Sequence, residues 1–382
     1  MIMSLTNSMR DKLNQRKEDN NFRKLSLHNN SLIDFCSNDY LGLAKNDELK
    51  KNIIAKYSQL PLNSGSTGSR LLTGNYIEIE QLEEKIAKYH NYEKALLFSS
   101  GYLANTGLLS CIATRHDTYI FDEQSHASIK DGVRMSNAKQ YSFKHNDLED
   151  LEKKIKQAQG ACFIVVESVY SMEGDFSPLI EISKLSEQYG CMLIVDEAHS
   201  AGIFGKKGEG IVSSENLSGK VFATIVTYGK AFGCQGAAIL CSEELYKYLI
   251  NFSRPFIYTT AISPVLTCCI SESYNYINNN TDTIKKLNNN INHYIKNVTP
   301  FKNEFISKNL SAVQYLKIHS TTAVKNMSLT LQNQGFLTKS ITYPTVPKNK
   351  ERIRIILHSY NSFLEIEKLF NVIKRNFCNF GT

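Results

Sequence analysis

The stretch MLIVDEAHS, residues 192–200, sets four apolar residues in a row and then turns at once to an acid pair and a histidine. A short run with no polar alternation reads as a strand buried on both faces, not as a strand with one wet side. Working outward, the same kind of run recurs as ALLFSS (95–100), TYIFD (118–122), CFIVVES (162–168), FATIVTYG (222–229) and AAILC (237–241). Helical stretches such as IEIEQLEEKIAKYH (77–90) and DLEDLEKKIKQA (147–158) separate them. The alternation predicts an α/β fold whose mostly parallel sheet is covered by helices.

The flanks read differently. Residues 1–45 are polar and then apolar, ending in the strand-and-turn-like DFCSNDYLGLA (34–44). Residues 46–270 carry the alternating pattern and form the expected large domain. From 271 the composition shifts to Asn and Lys, and Ile284, Leu287, Ile291, Ile295 and Val298 recur at helical spacing. That spacing predicts one amphipathic helix over 271–298, connecting into a smaller α+β domain that ends the 271–382 region. In it SLTLQ (328–332) and IRIIL (353–357) read as strands, and FLEIEKLFNVIKRNF (363–377) as a helix.

At 382 residues, one large and one small domain is the natural expectation. The 44 Lys and Arg against 37 Asp and Glu leave a net charge of +7, a mild excess that suits anionic small molecules without a nucleic-acid partner. The N-terminus lacks an apolar core of signal-peptide length, and no run approaches a membrane span. The 9 Cys are odd in number, scattered from Cys36 to Cys378 and free of any C-x-x-C spacing. They predict neither a disulfide framework nor a metal site, and a cytoplasmic home. Cys162 and Cys191 sit in apolar runs, where a thiol serves as a small hydrophobe.

The chemistry collects at the ends of the expected strands, where ligands bind in open α/β sheets. Asp196 ends one strand, with His199 three residues on; Lys230 follows another in a turn of small residues. Ser99, Ser100 and Gly101 open a helix, and His126 follows TYIFD. The Asp-Glu-Ala-His string also occurs in helicase-type NTPases, but those need a phosphate loop ending Gly-Lys-Ser/Thr. Here Gly229-Lys230 runs into Ala231 and Gly219-Lys220 into Val221. A lysine that can form a Schiff base, an acid for a pyridine nitrogen, a flat ring for stacking and a helix start for a phosphate together point to pyridoxal 5'-phosphate.

With those residues in place, the sequence resembles the α-oxoamine synthases, fold-type-I pyridoxal-phosphate enzymes that join an amino acid to an acyl thioester with loss of carbon dioxide. The matching stretches are NDYLGLA (38–44), GSTGSRLLTGN (65–75), LFSSGYLANTG (97–107), SHASIKDG (125–132), SVYSMEGDFSPL (168–179), IVDEAHSAGIFG (194–205), TYGKAFGCQGAA (227–238) and RPFIYTTAISP (254–264), with PTVP (344–347) and RIRIIL (352–357) near the end. The resemblance implies that Lys230 holds the cofactor aldehyde, Asp196 its ring nitrogen and His199 its ring oxygen. His126 matches the stacking ring, Gly101 and Tyr102 the phosphate-proximal turn, Thr227 a phosphate-contacting hydroxyl and Ser171 a hydroxyl near the ring oxygen. Arg354 matches the arginine that takes the amino-acid carboxylate, and Asn38 and Thr345 match substrate-side positions. Arg23, on looser spacing, matches an arginine toward the acyl chain. The nearest branch implies L-alanine and a pimeloyl thioester, on CoA or a carrier protein, as substrates in biotin synthesis. Sister branches such as glycine C-acetyltransferase stay open as alternatives.

The resemblance also implies a homodimer with shared active sites. Two stretches depart from the pattern. LHSYNS (357–362) puts Asn361 near an expected histidine, and TAISP (260–264) replaces a leucine-proline-proline ending.

Overall fold

Seven strands form the central sheet of the computed structural model, which describes residues 5–27, 31–60, 63–300 and 306–377. From edge to edge they are Lys94–Phe98, Ala237–Cys241, Ala223–Thr227, Met192–Asp196, Cys162–Glu167, Thr118–Asp122 and Lys139–Phe143. Ala237–Cys241 runs antiparallel to both neighbours and every other pairing is parallel. The absence of alternation in the sequence has its cause here. In Cys162–Glu167, Phe163 and Val165 pack on one face, with Leu108, Ile129 and Val133 among the helical residues. Ile164 and Val166 pack on the other, with Leu179, Ile182 and Val212. Both sides are core, so both sets of alternating positions are apolar.

The seventh strand, Lys139–Phe143, has no counterpart among the six apolar runs of the sequence. It lies at the edge with Lys139, Gln140 and Ser142 exposed, so little hydrophobic pattern marks it.

By backbone proximity the chain divides into two units. One comprises residues 38–171 and 175–287; the other comprises 1–37, 172–174 and 288–382. The divisions fall at 37/38 and 287/288, where the sequence pattern placed them at 45/46 and 270/271. Ile33–Asp34 pairs in parallel with Phe336–Leu337, which ties the N-terminal segment to the C-terminal part of the chain.

The second unit holds a three-stranded antiparallel sheet, Lys339–Ile341, Arg352–Ile356 and Val313–Lys317. It also holds helices Thr321–Asn333 and Phe363–Phe377. SLTLQ, expected as a strand, lies inside Thr321–Asn333. Ser320 caps that helix through Ala323 N, and Val324, Met327, Ser328 and Leu331 bury one helical face; this packing overrides local strand preference.

The single helix expected over 271–298 is two, Pro264–Asn279 and Asp282–Val298. The first ends at Asn280, whose N–H bonds back to Ile277 and Tyr276 while its side chain also takes the Tyr276 carbonyl. The second buries Ile284, Leu287, Ile291, Tyr294 and Val298.

The eight described cysteines are free thiols; Cys378 lies outside the described residues. Cys162 is buried as expected, whereas Cys191 is half-exposed. Among the described residues no helix is long and apolar enough to cross a membrane, and no group of three His, Cys, Asp or Glu is placed to hold a metal.

Candidate active site

The carboxyl ends of the parallel strands converge on a cavity of about 270 Å³. Strand Lys94–Phe98 delivers Ser100, which caps helix Gly101–Leu109 by accepting from Leu103 N at 3.2 Å. The start of this nine-residue helix, Ser100, Gly101 and Tyr102, lines the cavity, a position suited to an anion. Thr227 ends the Ala223–Thr227 strand, two strands away; its Oγ1 is buried in the same cavity wall and has no hydrogen-bond partner among the described residues. Gly101 makes that close approach possible, because a Cβ there would stand 2.6 Å from Thr227 Cγ2.

Asp196 closes the Met192–Asp196 strand at 4% exposure. Its Oδ1 accepts Ala198 N at 2.9 Å and its Oδ2 accepts Asn105 Nδ2 at 2.7 Å. His199, one short turn on, brings Nδ1 within 2.5 Å of the Tyr40 hydroxyl. His126 caps helix Ala127–Met135; its main-chain N–H donates to Glu167 Oε1 at 2.6 Å. Burial holds the His126 ring below its ordinary pKa, with Asp196 pulling it up and Lys230 pushing it further down. Glu167, directly beside Asp196 on the adjacent strand, is pushed up to about 8 by burial and by the Asp196 charge. Lys230 is half-buried in the turn after Thr227 and lines the same cavity.

Nine of the residues singled out in the sequence therefore share this cavity: Asn38, Ser100, Gly101, Tyr102, His126, Asp196, His199, Thr227 and Lys230. The Tyr102 side chain is half-exposed and bonds Asp131. Ser171 belongs to the same unit but is not among the lining residues; it lies in the turn beyond Cys162–Glu167.

Arg23, Thr345 and Arg354 belong to the other unit. There Arg23 Nη2 donates to Thr345 Oγ1 at 3.4 Å. Arg354 is half-buried on Arg352–Ile356. Arg352, two residues before it, is fully buried and committed: it pairs with Glu173 at 2.7 Å and donates to the Met172 and Lys350 carbonyls. Asn361 serves the fold of this unit, accepting His358 N and donating to the Asp34 carbonyl.

Sequence reasoning passed over Tyr40, Asn105, Ser128 and Glu167. Each stands inside or beside a quoted stretch. Asn105 is one helical turn beyond Gly101, and Glu167 ends an apolar strand as Asp196 does. The stretches GSTGSRLLTGN (65–75) and RPFIYTTAISP (254–264) also meet. Ala261 N donates to the Gly68 carbonyl at 2.9 Å and Ser66 Oγ to the Ile262 carbonyl at 2.6 Å. Arg70 anchors this loop through a buried bidentate pair with Glu83.

The model of the aminotransferase class I and II family matches residues 30–367. The chain belongs to that family. Within it the sequence is similar to proteins named 8-amino-7-oxononanoate synthase. The one from Thermosipho melanesiensis is 34% identical over 340 residues, covering 88% of this chain and 86% of that protein. The one from Petrotoga mobilis is 33% identical over 362 residues, covering 94% and 91%. Among solved structures, an 8-amino-7-oxononanoate synthase from Francisella tularensis superposes with a TM-score of 0.80 at 31% identity, covering 92% of this chain and 99% of that one. A serine palmitoyltransferase from S. paucimobilis, solved with a PLP–myriocin aldimine, shares the fold with a TM-score of 0.89 at 23% identity and 98% coverage of both chains.

Proposed function

We propose that this chain is a cytoplasmic 8-amino-7-oxononanoate synthase of biotin synthesis. It condenses L-alanine with a pimeloyl thioester and releases the thiol carrier and carbon dioxide. The observation that carries this reading is the convergence of Lys230, Asp196, His126, His199 and Thr227 on one cavity. The relatives' shared name supports it.

Pyridoxal phosphate fits the residues present. The buried hydroxyl of Thr227 lacks a protein partner among the described residues, and the helix start beside it offers N–H groups, so a phosphate would satisfy both. Asp196, already braced by two donors, is placed to keep a pyridine nitrogen protonated. His199 would hold the ring oxygen, His126 would cover a ring face and Lys230 Nζ would hold the aldehyde. When bound, the cofactor supplies an electron sink that stabilises charge on the α-carbon.

The protein's own steps are proton transfers and positioning. Lys230 Nζ takes the α-proton of alanine and later returns a proton to the product carbon. Arg354 fixes the alanine carboxylate with a planar donor pair, while Asn38 and Thr345 contact substrate and Arg23 the acyl chain. Ser171 stays in this reading as a hydroxyl near the ring oxygen. The chain acts as a homodimer with shared sites; the exposure of Leu71 and Leu72 in the Gly65–Asn75 loop supports a partner there.

The test is thiol release from a panel of acyl-CoA donors with alanine, glycine or serine, by the parent and by Lys230→Ala. Alanine with pimeloyl-CoA should win, and Lys230→Ala should lose turnover and the yellow colour of the holoprotein. An active, yellow Lys230→Ala protein overturns the site. A preference for glycine with acetyl-CoA overturns the substrate assignment.

A further inference from the structure

Asn105 and Ser128 are among the side chains of the cavity that carry no role from the resemblance. Both are buried, at 2% and 1% exposure. Asn105 lies one turn into helix Gly101–Leu109, and Ser128 stands two residues after the His126 cap. Asn105 Nδ2 is 2.7 Å from Asp196 Oδ2 and 3.1 Å from Ser128 Oγ. A carboxylate only accepts, so the group facing Asp196 is the amide nitrogen, and its two hydrogens serve Asp196 and Ser128. Ser128 Oγ, having accepted from Asn105, has one hydrogen to give. Its other contact is His126 Nδ1, at 2.8 Å. The main-chain N–H of Ser128 approaches the same Nδ1 at 3.2 Å.

We infer that Asn105 and Ser128 are positioning residues: one amide holds Asp196 and, through the Ser128 hydroxyl, fixes His126 as the neutral tautomer with its proton on Nε2. The Ser128 main-chain N–H can only donate, and its approach makes Nδ1 an acceptor, so the hydroxyl is left to donate there too and Nδ1 carries no proton. A second proton could enter the ring only by displacing a donor. The functional consequence rests on the reading of the cavity as a cofactor site. A neutral imidazole over the pyridine ring does not oppose the proton that Asp196 keeps on the ring nitrogen, whereas an imidazolium would. One short relay thus holds Asp196 in place and fixes the tautomer of His126.

The ring is surrounded by Asp196 and Asp131, which favour its protonation, and by Lys230 and Lys130, which oppose it. The Glu167 carboxyl holds the His126 main chain. Removing the Ser128 hydroxyl deletes a donor to Nδ1 and leaves those charges in place. The His126 titration should then move up by about 0.5–1 pH unit, the size of one neutral hydrogen bond.

The experiment is nitrogen NMR of the full chain, without cofactor and with isotope-labelled histidine, the His126 signals being assigned by loss in His126→Gln. Above neutrality the parent should show a protonated Nε2 and a bare Nδ1. In Ser128→Ala and Asn105→Ala the two tautomers should mix and the titration should shift upward. A proton on Nδ1 in the parent overturns the inference even if neither variant folds. An unchanged tautomer and titration in folded variants overturns it as well. Addition of pyridoxal phosphate separates the two readings. A chain that takes up none defeats the proposed function and leaves the relay standing, whereas uptake with an Nδ1 proton defeats the relay alone.

Discussion

Replacement of Gly101 by alanine tests the cofactor cradle with a single methyl group. The new Cβ would meet Thr227 Cγ2 at 2.6 Å and Thr227 Cβ at 3.7 Å, so only the methyl branch is in the way. Thr227 can relieve the clash by turning about χ1, but a β-branched side chain moves both branches together. Its Oγ1 then leaves the place from which it faces the cavity. The alternative is a shift of the helix start, which displaces the N–H groups instead. Either way a phosphate loses one charge-assisted hydrogen bond, about 1.5–3 kcal/mol, or roughly 10- to 150-fold in Kd for the cofactor. The fold should survive, since overpacking by one methyl costs about 1–3 kcal/mol. Titration of the cofactor-free protein with pyridoxal phosphate, followed by absorbance, measures the effect. Thr227→Ser removes the clashing branch and keeps the hydroxyl, so the double variant Gly101→Ala with Thr227→Ser should recover most of the affinity. Parental affinity in Gly101→Ala would refute the reasoning, and so would a double variant no better than the single one.

Two further outcomes are expected. His145 lies between Asp122 at 2.9 Å and Asp175 at 2.8 Å; burial opposes its charge, yet the two carboxylates overcome burial and lift its pKa to about 10. A histidine raised by folding contributes stability that is complete below its unfolded value of 6.5 and is lost as pH climbs toward 10. The stability gap between the parent and His145→Gln, measured by urea unfolding, should therefore shrink over that window by about 2 kcal/mol, a figure reduced because solvent screens the part-exposed Asp175. A gap constant with pH would exclude the clamp. For assembly, the parent should sediment as a dimer and Leu71→Asp with Leu72→Asp should weaken it, both residues being exposed in the single chain. A monomeric parent would overturn the shared-site reading.

Much of the large unit could be read along the chain because its physics is local in sequence. Strands buried on both faces have to be apolar throughout, and six of the seven announced themselves that way. The residues with reactive groups stood immediately after those runs, at Ser100–Gly101, His126, Asp196 and Thr227–Lys230. The edge strand Lys139–Phe143 escaped because water covers most of it, so its side chains need not be apolar. SLTLQ misled for the converse reason: its strand preference is a weak local term, and the buried face of Thr321–Asn333 outweighs it.

What the sequence determined by itself is the class of the sheet, the order of the reactive residues and their kinship. What only tertiary structure decided is how those residues constrain one another. No spacing rule connects Asn105 to Asp196, 91 positions away, or Tyr40 to His199, 159 positions away. Nor does spacing distinguish Arg352, sealed against Glu173, from the less buried Arg354 two residues on. Hydrogen-bond direction, burial and the close approach of Thr227 to Gly101 exist only once distant strands lie side by side. A sequence names the groups that can react; their protonation and reach are set by neighbours that the fold, not the chain order, supplies.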